Sequence, residues 1–112
     1  MQELFAIFDE IGLPYYRQGS LSDEDYPASF FTHWNIDTPS LRFRDNSEIS
    51  YVEIISVCFY TNDANLIYTQ MEDFISRAKA AGFIVPGHAH DTDADKENYY
   101  GRYIRIQKIH KS

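Results

Sequence analysis

The segment His88–Asp95, HAHDTDAD, sets two imidazoles and three carboxylates within eight residues. Such a density of donors raises two metal chemistries. A calcium loop takes alternate oxygen ligands, then a glycine at its sharp turn and a bidentate glutamate at its end. Asp91, Asp93 and Asp95 supply the alternation, but Lys96 stands where the glycine belongs and Arg102 where the glutamate belongs. A zinc centre using His88, His90 and a carboxylate such as Asp91 needs a closed ligand set or a third strong ligand, and no further His or Cys lies near in sequence. The stretch is therefore expected to be a solvated loop joining two strands, without metal.

Other chemistry-bearing residues give no stronger pattern. The run Asp23, Glu24, Asp25 and Tyr26 offers adjacent carboxylates, yet neighbours in sequence cannot hold two carboxyls at the fixed separation that acid–base pairs need. His33 beside Trp34 could act as a general base, but a single strand histidine is ordinarily structural. Cys58 lies in the apolar string ISVCFY with no basic neighbour, which marks an inert buried thiol. The five glycines are isolated, so no phosphate-cradling loop exists. No cofactor is implied, and the chain is not expected to be an enzyme.

The elements that hold these residues follow from periodicity. In QELFAIFDEIG, Leu4, Phe5, Phe8 and Ile11 share one helical face, and Gly12 with Pro14 supplies the stop. The tract GSLSDEDYP is a loop. In SFFTHWNI, Phe30, Thr32, Trp34 and Ile36 point to one side of a strand and Phe31 and His33 to the other. LRFR and ISYVEIISVCFYT flank Asp45-Asn46-Ser47 as a hairpin whose second arm is central. NDANLIYTQMEDFISRAKAAG is a helix with Ile67, Met71, Phe74, Ile75 and Ala78 inward, capped by Asn62 or Asp63 and ended by Gly82. FIVPG and YYGRYIRIQKI are the last strands. The order α-β-β-β-β-α-β-β predicts an α+β fold, one domain over residues 1–112, with two helices packed on a mostly antiparallel sheet.

Composition narrows the functional classes. A net charge of −7 argues against binding a phosphate backbone, so no direct sequence-specific nucleic-acid contact is expected. No leader is legible and no apolar run approaches the ~20 residues of a membrane helix, so a soluble protein made in a reducing compartment is expected. Aromatic residues make up 16% of the chain, a content that suits cores and protein interfaces alike. Charge is also polarised. Residues 1–97 hold six bases against seventeen acids, whereas residues 98–112 hold four bases and no acid. Unlike patches of this kind let a chain meet a second copy of itself.

The pieces LPYYRQGSLSDEDYPASFFTHWNIDTP, VCFYTND, IYTQMEDFISRAKAAGF and GRYIRI together resemble small prophage proteins of Gram-positive bacteria, among the head-tail joining and tail completion proteins of long-tailed phages. The likeness spans most of the chain and rests on aromatic structural motifs, so no functional residue transfers through it. It implies a tail terminator-like or neck protein, non-catalytic, whose partners are itself in a ring, a hexamer being one candidate, and other phage tail or neck proteins. It also implies residence in the host cytoplasm during assembly and then in the virion, with no membrane and no small-molecule ligand. The interface residues expected on charge and aromatic character are Asp23, Glu24, Asp25 and Tyr26 on one patch and Arg102 and Arg105 on another. Two other readings stay open: a small-molecule-binding or regulatory domain with a pocket around His33, Trp34 and Tyr60, and a metal-dependent enzyme using His88, His90 and Asp91.

Overall fold

The apolar spacing at the N-terminus becomes helix α1, Gln2–Ile11, which buries Leu4, Ile7 and Phe8. Gly12 adopts φ 84°, and its N–H donates to Phe8 O at 2.9 Å, so the helix ends where a residue without Cβ can turn left-handed. The structure is a computed structural model, and it describes residues 2–18, 27–36, 43–45, 48–94 and 97–111. The expected interface residues Asp23, Glu24, Asp25 and Tyr26 lie outside the described residues.

The second helix, α2, runs over Leu66–Ala80 and buries Ile67, Met71, Phe74 and Ala78. Asn65 takes the N-cap position without a side-chain bond; Asp63 instead accepts the Asn65 N–H at 2.9 Å through Oδ1 in an Asx turn. At the other end Phe83 N donates to Ala78 O at 3.0 Å and Gly82 N to Lys79 O at 3.1 Å, with Gly82 at φ 94°. That pair of bonds is a Schellman motif, and it swings Phe83 back into the core at 5% exposure.

Six strands form one mixed sheet: β1 Tyr15–Arg17, β2 Ser29–Asn35, β3 Phe43–Asp45, β4 Glu48–Thr61, β5 His90–Thr92 and β6 Tyr100–Lys111. Their order is β1-β2-β4-β6-β5, with β3 also on β4. β1 pairs parallel to β2 and every other pairing is antiparallel. The α+β class and the element order are as the periodicity predicts.

One strand differs in position. Residues 83–87 were expected to pair fully, but they contribute a single bridge in which Ile84 and Gln107 exchange backbone bonds of 2.9 and 2.8 Å. Pro86 has no N–H to donate, so the ladder stops there. The chain rejoins β6 at His90–Thr92, inside the expected loop, with His90 opposite Tyr103. The register has moved by two residues between the two contacts, which the backbone around Pro86 and Gly87 absorbs.

Both helices cover one face of the sheet. There Phe8 packs on Phe31 with ring centroids at 4.9 Å and on Phe74 at 5.6 Å, and Phe31 meets Phe59 at 4.9 Å. Ile55, Val57, Ile104 and Ile106 complete this core. The alternation predicted for β2 holds: Phe31 and His33 turn to the helices, and Phe30, Thr32 and Trp34 turn away. No described helix or strand covers the second face. Phe30 is nevertheless buried there, under Tyr16, Tyr60 and Tyr99 at 5.4 to 6.4 Å.

Twelve residue pairs join β4 to β6, from Ser50–Lys111 to Thr61–Tyr100. At about 3.4 Å per residue this ladder outruns the fifteen residues of α2, which advance about 1.5 Å each.

Candidate functional site

The chemistry singled out in the sequence gathers around the β5–β6 hairpin, and strand alternation distributes it over two sides. Arg102 pairs with Phe59 and faces the helices; Arg105 pairs with Ser56 and faces away. Three positions apart on a strand, two side chains necessarily point oppositely. The expected basic patch is thus two separate cations.

On the helix side, Arg102 Nη1 donates to Asp91 Oδ1 at 2.7 Å, and the guanidinium carbon sits 4.8 Å from the centroid of the Tyr68 ring. Arg102 Nε is buried with no acceptor among the described residues. Around this pair opens a cleft of about 430 Å³ between the start of α2 and the β5–β6 connection. Tyr68 and Tyr100 form aromatic walls, and Asp93 and Glu97 add exposed carboxylates. Asn98 turns the chain at φ 68° to bring Tyr99 and Tyr100 back onto β6. Tyr99 then donates its hydroxyl to Pro27 O at 2.7 Å, tying the connection to the start of β2.

On the other side, a smaller depression of about 320 Å³ lies between the Pro86–His88 turn and β6. His90 packs on Tyr103 there with the rings tilted and their centroids 5.6 Å apart, and Arg105 lines the depression. His90 and Asp91, being adjacent in β5, point to opposite sides, so His88, His90 and Asp91 do not converge. Among the described residues no three His, Cys, Asp or Glu side chains come together as a metal set.

Of the pocket drawn around His33, Trp34 and Tyr60, the first two share a depression of about 420 Å³ with Arg17, Gln18 and Asn35 at the end of β2, and Tyr60 lies outside it. His33 lies 8% exposed against Phe5 at 5.2 Å and Phe8 at 6.2 Å, while Trp34 and Tyr60 face away from the helices. Burial, with the nearby Arg17 charge, holds the His33 imidazole below its ordinary pKa, so it is a neutral core residue at pH 7. Cys58 is also buried. Desolvation pushes its thiol up, only partly offset by hydrogen bonds with Tyr60, Thr32 and Ser56, so it is a poor nucleophile.

Sequence reasoning missed Tyr68 and Tyr100, which stand 54% and 48% exposed. One signal was present for Tyr68: it sits beside the Ile67–Met71–Phe74 stripe, where a solvated helix flank would ordinarily carry a polar residue.

The unit has one sheet face under helices and one that no described helix or strand covers. Such a fold occurs in a virion. The chain superimposes on a chain of the virion of the native gene transfer agent (GTA) particle with a TM-score of 0.58, covering 99% of this chain and 90% of that one, at 10% sequence identity. At that identity the likeness is one of fold, and no residue role passes through it. No protein family and no curated protein matches the sequence.

Proposed function

We propose that the chain is a non-catalytic structural protein of a phage particle, acting at the tail end or the head–tail neck by ring-type self-association and docking. The observation that carries this reading is the match of fold over nearly the whole chain to a chain of the GTA virion. The division of the site supports it: imidazoles, carboxylates and thiol are dispersed over two sides of a sheet rather than focused on one point, as binding surfaces tolerate and catalysis does not. The two sides also differ in character, one helical and acidic, the other a bare sheet. Subunits that pack head to tail in a ring need two such unlike surfaces. Its partners are then further copies of itself and other tail or neck proteins. It works first in the host cytoplasm and then in the particle; among the described residues no helix is long and apolar enough to cross a membrane.

The test is an induced lysate from a strain lacking the gene, viewed by electron microscopy. Filled heads separate from tails, or tails of uncontrolled length, are expected. Normal infectious particles would overturn the structural reading and return attention to small-molecule binding.

A further inference from the structure

The two sides of the β5–β6 hairpin carry opposite charge. The chain holds seventeen acids, yet the described positions that flank Arg105 on the second sheet face, Trp34, Ile54, Ser56, Tyr103 and Gln107, include no carboxylate. Arg105 is exposed and without a hydrogen bond or ion pair to any described residue. Trp34, Ser56 and Arg105 lie in one row across β2, β4 and β6. With strands about 4.8 Å apart, the half-exposed Trp34 ring and the guanidinium flank a small Ser56. The cleft on the opposite side has Tyr68 and Tyr100 as exposed walls, and its acids Asp93 and Glu97 have no ion pair with a described residue, whereas Asp91 is engaged by Arg102.

We propose that this cleft receives the Arg105 guanidinium of a second copy of the chain, so that the bare sheet face of one subunit seats against the helix side of the next. The inference rests on the self-association proposed above. A planar cation with several donors suits aromatic walls and carboxylates together, and Arg102 already uses Tyr68 and Asp91 in that manner within the subunit. Arg105 cannot reach the cleft of its own subunit, because the sheet separates them. Cleft on cleft opposes acids and is disfavoured. Joining unlike surfaces avoids that repulsion, and each subunit that docks presents a fresh cleft or a fresh Arg105 to the next.

Sedimentation velocity on wild type, Arg105→Glu, Glu97→Arg and an equimolar mixture of the two variants tests the contact. Wild type should self-associate in the micromolar-to-millimolar range and weaken with salt. Each variant alone should associate at least about tenfold more weakly. The mixture should regain association, since one variant keeps the acidic cleft, the other keeps Arg105, and the two altered side chains attract each other. Should either charge reversal fail to fold, Arg105→Gln and Glu97→Gln are read for the same loss. Variants that associate like wild type would overturn this contact while leaving self-association standing. A wild-type chain that stays monomeric throughout the range would overturn both.

Discussion

Arg102 and Asp91 face each other across the β5–β6 ladder, 2.7 Å apart, and their ion pair is the principal side-chain tie on a strand of only three residues. Arg102 is 17% exposed and Asp91 67%, so the arginine has packing as well as charge to lose. Arg102→Ala should cost about 1–2 kcal/mol, combining a half-exposed ion pair with the stack on Tyr68. Asp91→Ala should cost under about 1 kcal/mol. Urea titrations of both variants measure the difference; equal costs would mean that the Tyr68 stack contributes nothing.

Gly101 sits opposite Thr92, where a Cβ would meet Thr92 O and Tyr60 Cε1 at 2.9 Å each. Backbone cannot retreat as a flexible side chain can, so Gly101→Ala should push β5 away from β6 and cost about 1–3 kcal/mol. Hydrogen exchange at His90–Thr92 should accelerate more than exchange in the β2–β4 ladder. Unchanged exchange in β5 would contradict the close approach.

Phe74 is fully buried and touches both Phe8 and Phe31. Phe74→Ala should lose roughly 3–5 kcal/mol through transfer energy and the cavity left behind. Asp93, exposed at the cleft rim, should tolerate Ala within about 0.5 kcal/mol. Thermal or urea melts compare the two, and similar costs would show that the helix face is misassigned.

His33 links stability to pH. Its folded pKa lies below the ordinary value of 6.5 because burial disfavours the imidazolium. As the pH falls below about 6.5 the unfolded chain takes up the proton first, so stability present at neutral pH is progressively lost until the folded pKa is passed. His33→Gln should flatten that part of the stability–pH curve between pH 7.5 and lower values. A wild-type slope in this variant would remove His33 as its source.

The order of elements, the buried stripe of α2, Leu4 and Phe8 in α1 though not Ile7, the helix stops at Gly12 and Gly82 and the two-sided alternation of β2 were legible in the sequence. Each depends on spacing within one segment, where a period of 3.6 or 2 and a residue without Cβ carry the information. Position β5 was not legible. His90-Asp91-Thr92 has no apolar alternation, and it becomes a strand because β6 offers an unpaired edge, Gly101 leaves room, and Arg102 supplies the counter-charge. Nor does β2 itself decide which face is covered, since Phe30 with Trp34 and Phe31 with His33 are comparably apolar; contact with Phe8 and Phe74 from distant helices settles it. Of the candidate site, the separation of Arg102 from Arg105 could be read from their odd spacing. The cleft of Tyr68, Asp93, Glu97 and Tyr100 could not, because it joins a helix flank to a strand connection more than twenty residues away, and only tertiary packing brings such surfaces together.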